Sequence, residues 1–291
     1  MTGTAIFLNR GAGTARTGRV AEMVELARRA LDADVHVAET RDPVEMEDWL
    51  GGLVTGYDTA VIVGGDGSLG IGLNVAARHK ELTLGFLPAG FGNAAKHLLR
   101  LPADPGEIVD VLRRGDAREV DLITVGERLA LFAGVGWDAT VAGRYADGGA
   151  HGLIGWASAI AQSVPGLWHR ARVEVIADGW TVHRGPMTML VVSTTPFYGR
   201  GLRVNPGARP DAGRLSLRSY AGPAPQLALE AGRWVANVTP RARRVDARVI
   251  EVRALDDEPI PVQADGDLVG QATAWRFELR PAAVRLIGRW G

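Results

Sequence analysis

Five consecutive residues have the types and the spacing to bind an anion: Gly64, Gly65, Asp66, Gly67 and Ser68. They follow an apolar, β-branched run that is typical of a strand buried on both faces, and they precede apolar residues at helical spacing. Where such a strand gives way to a helix, backbone N–H groups point out of the turn beside the positive end of the helix dipole. Because glycine lets an anion approach those groups, residues 64–68 are predicted to bind phosphate.

Asp66 is the unusual residue of this loop. A carboxylate among phosphate-binding amides repels the ligand unless a divalent cation or a basic side chain lies between them. Asp66 therefore favours a metal-nucleotide complex over a bare phosphate. The alternative is that Asp66 only caps the helix, and these residues alone leave both interpretations open.

Two common classes of nucleotide-binding protein fit the sequence poorly. Gly65 to Gly70 matches the G-x-G-x-x-G pattern of dinucleotide-dependent oxidoreductases, but that class needs an acid at the end of the next strand. Here the next strand ends in Leu87 and Pro88, without an acid. The P-loop pattern G-x-x-x-x-G-K-[ST] does not occur in the chain.

Length and composition narrow the class of protein further. A chain of 291 residues is long enough for about two domains. Its 33 basic and 33 acidic residues cancel, so no overall field favours nucleic acid or an anionic membrane, and we expect no nucleic-acid partner. The absence of cysteine excludes disulfides, a thiolate nucleophile and cysteine metal sites, and it fits a cytoplasmic protein best.

The sequence also bears on membrane insertion. The first ten residues lead into a short strand without a basic segment, so we expect no signal peptide. No run of about 18 uninterrupted apolar residues occurs, so we expect no membrane span.

Strands and helices alternate over residues 1–120. Three predicted strands end in loops rich in glycine or polar groups, and each loop is followed by a helix. Such units form a parallel sheet with helices on both faces, and ligands bind at the carboxyl ends of its strands. The predicted strands are residues 5–8, 35–38, 59–63, 82–87 and 119–125; the predicted helices are 20–31, 43–53, one after the glycines of 64–67, 94–99 and 105–114.

The pattern changes near residue 120 to short alternating segments separated by Gly, Pro and Asp. Such segments are typical of an antiparallel sheet or a sandwich, so we predict a β-rich second domain over residues 121–280. The apolar run 284–287 could belong to either domain. The predicted strands are residues 129–135, 172–177, 187–194, 213–220, 247–255 and 274–279.

Residues 154–168 are unusually apolar and contain Trp156 and Trp168. They could form an amphipathic helix that rests on a membrane surface or lines a lipid cleft. The alternative, which we favour from the sequence, is a helix packed across the sheet of the second domain.

The ordered motifs resemble those of the diacylglycerol kinase catalytic family, which includes bacterial lipid kinases and sphingosine kinases, with NAD kinases as more distant relatives. Further similarities lie in Asn9 to Gly13, Val120-Asp121, residues 132–138 and residues 198–213, so the resemblance covers nearly the whole chain. The three main motifs are Gly64-Gly-Asp-Gly-Ser68 with Asn74, Leu87-Pro-Ala-Gly-Phe-Gly-Asn-Ala95 and Gln263-Ala-Asp-Gly-Asp267.

The resemblance implies a nucleotide-binding α/β domain, to which residues 281–291 return, and a β-rich substrate domain. It implies phosphorylation of a hydroxyl, usually on a lipid, with ATP and Mg²⁺ as cofactors. The implied nucleotide-binding residues are Asn9, Gly64, Gly65, Asp66, Gly67, Ser68, Gly90 and Asn93. The implied catalytic residues are Asp265, Asp267 and Asp121, and the implied metal ligands are Asp66, Asp121 and Asp211.

By resemblance Asp265 is the general base, which agrees with the chemistry. Phosphoryl transfer needs mainly positioning and neutralisation of charge, and a carboxylate can accept the proton of the attacking hydroxyl. Gly266 beside it leaves room for a substrate. The alternative is an ordinary Asp-Gly turn between two strands, which would be preferred without the other motifs.

Several positions depart from the family pattern. Ile71 replaces a glutamate, Phe91 replaces a threonine or serine, and Ala212 replaces the second acid of a metal-binding Asp-Asp-Gly. The departures leave a second hypothesis, a divergent member that binds nucleotide or lipid without turnover or that phosphorylates a soluble alcohol. We favour an active lipid kinase, cytoplasmic with peripheral membrane contact at the inner face, which could form a homodimer.

Overall fold

The computed structural model describes residues 3–10, 18–40, 42–90, 92–149 and 152–290. The chain divides into two compact units. Unit 1 comprises Met1–Val120, Gly199–Gly201 and Ala282–Gly291, and unit 2 comprises Asp121–Tyr198 and Leu202–Pro281.

Unit 1 alternates strands with helices. Its strands are β1 (Thr4–Asn9), β2 (Asp34–Ala38), β3 (Thr59–Gly64), β4 (Thr83–Pro88) and the beginning of β5 (Ala117–Val125). Its helices are α1 (Gly18–Leu31), α2 (Pro43–Val54), α3 (Asp66–Ala76), α4 (Ala94–Leu98) and α5 (Pro105–Arg114).

Local sequence explains where two of these helices begin. Asp42 and Asp104 cap α2 and α5, and their carboxylates accept N–H bonds from Val44 and Glu107. Each cap is followed by a proline at the first helical position, where the missing N–H group has no cost.

The unit 1 sheet is parallel, with the order β2-β1-β3-β4. Neighbouring residues of β4 show that helices cover both of its faces. A Cβ atom at Gly72 of α3 would lie 3.8 Å from Leu84, whereas one at Gly85 would lie 2.7 Å from Leu112 of α5. Because successive strand residues point to opposite faces, α3 and α5 lie on opposite sides of the sheet.

Unit 2 is built mainly from antiparallel strands. They are β6 (Arg128–Ala130), β7 (Phe132–Gly136), β8 (Ala171–Ala177), β9 (Trp180–Met187), β10 (Met189–Ser193), β11 (Leu215–Tyr220), β12 (Arg244–Ala247), β13 (Val249–Ala254), β14 (Ile260–Ala264), β15 (Asp267–Ala272) and β16 (Ala274–Ile287). Its helices are α6 (Trp137–Asp147), α7 (Gly152–Ser163) and α8 (Ala224–Val235), and a 3-10 helix follows α7 over Val164–Trp168.

The strands of unit 2 form a sandwich around one core. One layer has the order β16-β13-β8-β9, and the other has the order β12-β11-β10-β7-β14-β15. Alternate residues of both layers, such as Val173 and Val175 of β8 and Leu190 and Val192 of β10, are fully buried in the same cluster. The remaining face of β10 is also covered, because Met189 and Val191 pack with Leu227 and Trp234 of α8. Burial on both faces explains the continuous apolar run at 189–192.

The last strand pairs in two places. Residues 274–278 of β16 pair antiparallel with β13, whereas Arg285 and Leu286 pair parallel with β4. The runs 274–279 and 284–287, which the sequence suggests as separate segments, are therefore one strand of 14 residues.

These observations confirm the predicted fold class, an α/β part with a parallel sheet followed by an antiparallel β-rich part. Several finer predictions were wrong. The strand predicted over 129–135 is interrupted at Leu131, and α6, α8 and β9 were not predicted. The helix predicted at 154–168 is not packed across a sheet, since it contacts α6 and buries only Gly155, Ala159 and Ser163.

Phe277 tests the sandwich core. It is a fully buried side chain of β16 in unit 2. We expect Phe277→Ala to lower the free energy of unfolding by about 3–5 kcal/mol, because the change removes buried apolar contacts and leaves a cavity. Urea denaturation measures the effect. Trp180→Ala, at an aromatic residue that is 79% exposed, is the control and should change stability by less than about 0.5 kcal/mol. Equal losses in both variants would contradict this core.

Candidate active site

The predicted phosphate loop lies between β3 and α3. Gly65 occupies the N-cap position without a side-chain cap, and α3 starts at Asp66. A Cβ atom at Gly64 would contact the Ser68 side chain, so the strand end and the first helical turn are packed directly together. The first N–H groups of a helix have no acceptor within the helix, which leaves this turn suited to an anion.

The second glycine loop lies against the first. A Cβ atom at Gly90 would collide with the Cα atom of Gly65 and would lie 3.0 Å from its nitrogen. Asn93, which has a left-handed backbone with φ of 51°, fixes this approach. Its Oδ1 accepts the Gly90 N–H at 3.1 Å, and its Nδ2 donates to the Gly90 carbonyl at 2.6 Å. Asn93 therefore holds the loop backbone, and the two loops meet without a side chain between them.

Asp66 joins the same assembly. Its two carboxylate oxygens accept the N–H groups of Ala94 and Ala95, at 2.9 and 3.2 Å. Asp66 thus caps α4, the helix after the second loop. A role for Asp66 as a metal ligand remains a prediction.

The side chain of Asn9, like that of Asp66, forms hydrogen bonds to the backbone of the protein. Its buried side chain donates to the Thr40 carbonyl at 2.9 Å and accepts the Thr40 N–H at 3.3 Å. These bonds tie the end of β1 to the segment after β2. A nucleotide contact by Asn9 therefore remains a prediction, and Gly11 and Gly13 of the same loop lie outside the described residues.

In unit 2, Asp265 and Gly266 form the two-residue turn of the β14–β15 hairpin. Both have positive φ, 50° and 99°, as a tight hairpin turn of this type requires. The carboxylate of Asp265 accepts the N–H groups of Leu131 and Phe132, each at 3.0 Å to Oδ1. Asp265 is thus both the turn residue and a carboxylate held by two amides. The two interpretations of Asp265 from the sequence, a turn residue and a general base, are therefore compatible with each other.

A buried polar network lies beside this turn. Asp138 Oδ2 accepts hydrogen bonds from the Tyr198 hydroxyl and from Gln263 Nε2, and Gln263 Nε2 also donates to the Tyr198 oxygen. Gln263 Oε1 accepts the Gly266 N–H at 2.7 Å, which fixes the orientation of the amide. Gly134 is required here, because a Cβ atom would occupy the space of the Asp138 carboxylate. The network therefore connects the start of α6 to the turn that carries Asp265.

Burial dominates the electrostatics of this network. It raises the pKa of Asp138 to about 6, although the bonds from Tyr198 and Gln263 oppose the shift. Burial, followed by the nearby Asp138 charge, also raises the pKa of Tyr198 well above its ordinary value. Tyr198 is therefore a proton donor at neutral pH. Asp138 Oδ1 is buried and has no hydrogen-bond partner within the described part of the chain.

The three acids of the predicted network have different surroundings. Asp121 is buried, and its carboxylate accepts the Gly213 N–H at 2.7 Å, so it holds the loop that contains Asp211. Asp211 instead pairs with Arg209 at 3.2 Å, and Asp267 is exposed at the start of β15. Among the described residues no three acidic or histidine side chains are grouped as a metal site. A Mg²⁺ ion held by one or two carboxylates and by nucleotide phosphates would not need such a group.

The sequence did not assign roles to Asp138, Tyr198 and Gln263, although each lies within a segment that resembles the family. The only signal was their presence in those segments, because the partners are 60 or more residues apart in sequence. Of the departures, Ile71 is half-buried on α3, whereas Phe91 lies outside the described residues.

The arrangement defines a class of protein: an α/β unit with paired glycine loops, and a β-sandwich unit with a carboxylate in a tight turn. The family model of the diacylglycerol kinase catalytic domain matches residues 4–125. That of the YegS C-terminal NAD kinase beta sandwich-like domain matches residues 132–288. The chain belongs to the diacylglycerol kinase family of NAD kinase-like lipid kinases.

Solved structures agree with the fold. A diacylglycerol kinase from Bacillus anthracis strain Sterne has a TM-score of 0.77 at 17% identity, covering 99% of this chain and 97% of that chain. Another crystal structure, of a candidate diacylglycerol kinase from the same strain, has a TM-score of 0.76 at 18% identity, with the same coverage. At these identities the likeness shows the fold alone. No curated protein sequence matches the chain.

The contact between the glycine loops makes Gly90 a test position. We expect Gly90→Ala to push the loops apart and to cost about 1–3 kcal/mol of stability, with weaker binding of ATP, because the new methyl group meets Gly65 backbone atoms. Thermal denaturation and ATP titration measure the two effects. Gly51→Ala on α2, where a Cβ atom meets nothing within 4 Å, is the control and should bind ATP as the unchanged protein does. Unchanged affinity in Gly90→Ala would refute the role of this contact.

The raised pKa of Asp138 predicts how the stability of the protein changes with pH. Because burial raises its pKa, the folded protein retains this proton where the unfolded chain has released it. The contribution to stability is fully present below about pH 4 and is lost as the pH rises through about 6. This shift in the pKa of Asp138 corresponds to a loss of about 3 kcal/mol in the free energy of unfolding.

Urea denaturation between these pH values should show the loss in the unchanged protein and its absence in Asp138→Asn. Asp147→Asn, at an exposed position on the same helix, is the control and should keep the pH dependence. The assignment fails if Asp138→Asn has the same pH dependence as the unchanged protein.

Proposed function

We propose that this protein transfers the γ-phosphoryl group of ATP to a hydroxyl group of a lipid, such as diacylglycerol or a sphingoid alcohol. The observation that carries the proposal is the match of both family models to a chain that keeps the paired glycine loops and the turn carboxylate. A phosphate-binding loop without an acid-base group would support nucleotide binding only, and Asp265 supplies that group.

The phosphates of ATP would be bound by backbone N–H groups of residues 65–68, with Gly90 bringing the second loop alongside. Two features support this assignment: the loops contact through glycine alone, and α3 directs its positive end to the turn. Side chains at these positions would occupy the space that an anion needs.

Magnesium is the proposed cofactor, and when bound it neutralises charge on the phosphates. Asp66, Asp121 and Asp211 remain the proposed ligands. Asp66 and Asp121 hold backbone amides, which orients their carboxylates, and a carboxylate oxygen that accepts one N–H bond keeps a second lone pair. Asp267, exposed beside the catalytic turn, is the remaining member of the proposed acidic group.

Asp265 is the proposed general base. The acceptor hydroxyl oxygen forms a bond to the γ-phosphorus, the bond from that phosphorus to the bridging oxygen of ADP breaks, and the hydroxyl proton passes to Asp265. The amides of Leu131 and Phe132 support this role, since they fix the carboxylate and leave lone pairs for the hydroxyl. A lipid acceptor implies a cytoplasmic protein that contacts the inner face of the membrane.

Two observations favour a second candidate function, nucleotide binding without turnover. Both oxygens of Asp66 are already bonded to α4 amides, and Ile71 departs from the glutamate of the family pattern that the sequence resembles. A protein of this kind would bind ATP but phosphorylate no alcohol, whether lipid or soluble.

Labelled ATP, Mg²⁺ and a panel of lipid and soluble alcohols distinguish these functions. We expect transfer to a lipid, and we expect Asp265→Asn to slow transfer by about 100-fold or more while ATP affinity is kept, because asparagine tolerates the positive φ but cannot accept the proton. Asp257→Asn, at an exposed aspartate of unit 2 that also has positive φ, is the matched control and should retain activity. Transfer that survives Asp265→Asn would exclude Asp265 as the base. ATP binding without any transfer would establish the second candidate.

A further inference from the structure

The outer surface of α7 and of the 3-10 helix after it is unusually apolar. Isolated exposed apolar side chains are ordinary, but a cluster of them marks an interaction site. Five large apolar side chains within sixteen residues are exposed: Leu153 65%, Ile154 78%, Ile160 43%, Val164 38% and Trp168 69%. We call these five residues the α7 surface.

Helical spacing arranges the α7 surface on one side. Leu153 and Ile160 are seven residues apart, so they lie along one line of α7, and Ile154 follows Leu153. Val164 and Trp168 are the first and last residues of the 3-10 helix that continues from α7. Small residues, Gly155, Ala159 and Ser163, form the buried stripe on the other side. Helix α7 is therefore amphipathic in an unusual sense, because small residues face the protein and large apolar residues face outward.

The segment that contains this surface carries basic but no acidic side chains. No acidic residue occurs between Asp147 and Glu174, an interval that contains Arg170 and Arg172. Both arginines are exposed and form no ion pair among the described residues. Arg170 donates to the Ala221 carbonyl at 2.9 Å, and Ala221 lines a small cavity together with Arg241. Glu230, the acid of that cavity, is buried and accepts the Arg241 N–H.

We propose that the α7 surface docks the protein on an anionic lipid bilayer. Apolar side chains beside unpaired arginines fit the interface of such a membrane, where aliphatic groups enter the acyl boundary, tryptophan lies at headgroup level and arginine meets phosphate. A second copy of the chain is a poorer occupant, because a two-fold contact would bring the same arginine-edged surface against itself.

The docking surface is connected to the candidate catalytic turn within unit 2. Trp137 Nε1 donates to the Ser163 carbonyl at 2.7 Å, which joins the end of α7 to the start of α6. The next residue of α6 is Asp138, whose carboxylate bonds Gln263, and Gln263 in turn holds Gly266. The contacts thus link the membrane surface to Asp265. The anionic bilayer is thus the partner that we propose for the lipid kinase. The docking proposal rests on the proposed kinase function only for the reason why the protein would bind a membrane.

Sedimentation with vesicles tests the proposal without requiring activity. The full chain should bind vesicles of phosphatidylcholine containing phosphatidylglycerol, and binding should weaken with salt. Leu153→Ser with Ile160→Ser should lower binding by about tenfold or more, because two apolar side chains no longer leave water. Arg170→Gln should lower it by about fivefold on anionic vesicles only. The matched control is Leu26→Ser with Val44→Ser, exposed apolar residues on helices of unit 1, which should leave binding unchanged.

Three results would overturn the proposal: no binding by the unchanged protein, equal binding by the Leu153 and Ile160 double variant, or a dimer that this variant converts to monomer. Phosphorylation of a short-chain, water-soluble acceptor without vesicles separates docking from catalysis. The double variant should keep that activity. If vesicles bind as expected but no acceptor is phosphorylated, the docking proposal stands and the kinase proposal fails.

Discussion

Backbone contact between Gly65 and Gly90 is the constraint on which unit 1 depends. Two loops that follow neighbouring parallel strands can meet only if neither carries a side chain at the point of approach. Asn93 holds the backbone of the second loop, and Asp66 reaches from the first loop to the helix after the second. The polar side chains around the predicted phosphate site therefore bond the protein's own backbone amides, and the glycine backbone is the surface that is predicted to face a ligand.

Hydrogen bonds from backbone N–H groups also hold the carboxylate of Asp265 in unit 2. Asp265 lies in a two-residue turn, and a turn alone would leave its side chain mobile in water. Backbone N–H groups of the β6–β7 segment hold the carboxylate in place by donating hydrogen bonds to it. Gln263 holds the neighbouring Gly266 by accepting its N–H group. The pairing of β7 with β14 places both sets of groups within reach. In both units, hydrogen bonds to main-chain groups set the positions of the candidate functional residues.

The class of fold could be predicted from the sequence because both periodicities are strong. Strand, loop and helix alternate before residue 120, and short β segments follow. Helices α6 and α8 could not be predicted so readily: α6 starts at the end of an apolar strand, and α8 mixes buried Leu227 and Trp234 with exposed Leu229 and Val235. The exposed side of α7 contradicts the usual rule that apolar residues are buried, so the sequence favoured a packed helix.

The candidate site, too, could be predicted from the sequence only in part. The glycine motifs and Asp265 could be identified because they are local patterns. The bond from Asp66 to α4 and the network of Asp138, Tyr198 and Gln263 join residues from 28 to 125 positions apart, and nothing in the local sequence marks those partners.

The two pairings of β16 have a consequence for how the chain folds. The parallel sheet of unit 1 gains its neighbour to β4 from Arg285 and Leu286, about two hundred residues downstream of that strand. During synthesis, the β4 edge therefore has no strand partner on this side until residues 285 and 286 have left the ribosome. An open edge of this kind is prone to pair with foreign strands, and contacts so distant in sequence form slowly. Completion of unit 1 is thus coupled to the synthesis of β16, which covers this edge of the sheet only when the second unit has also been made.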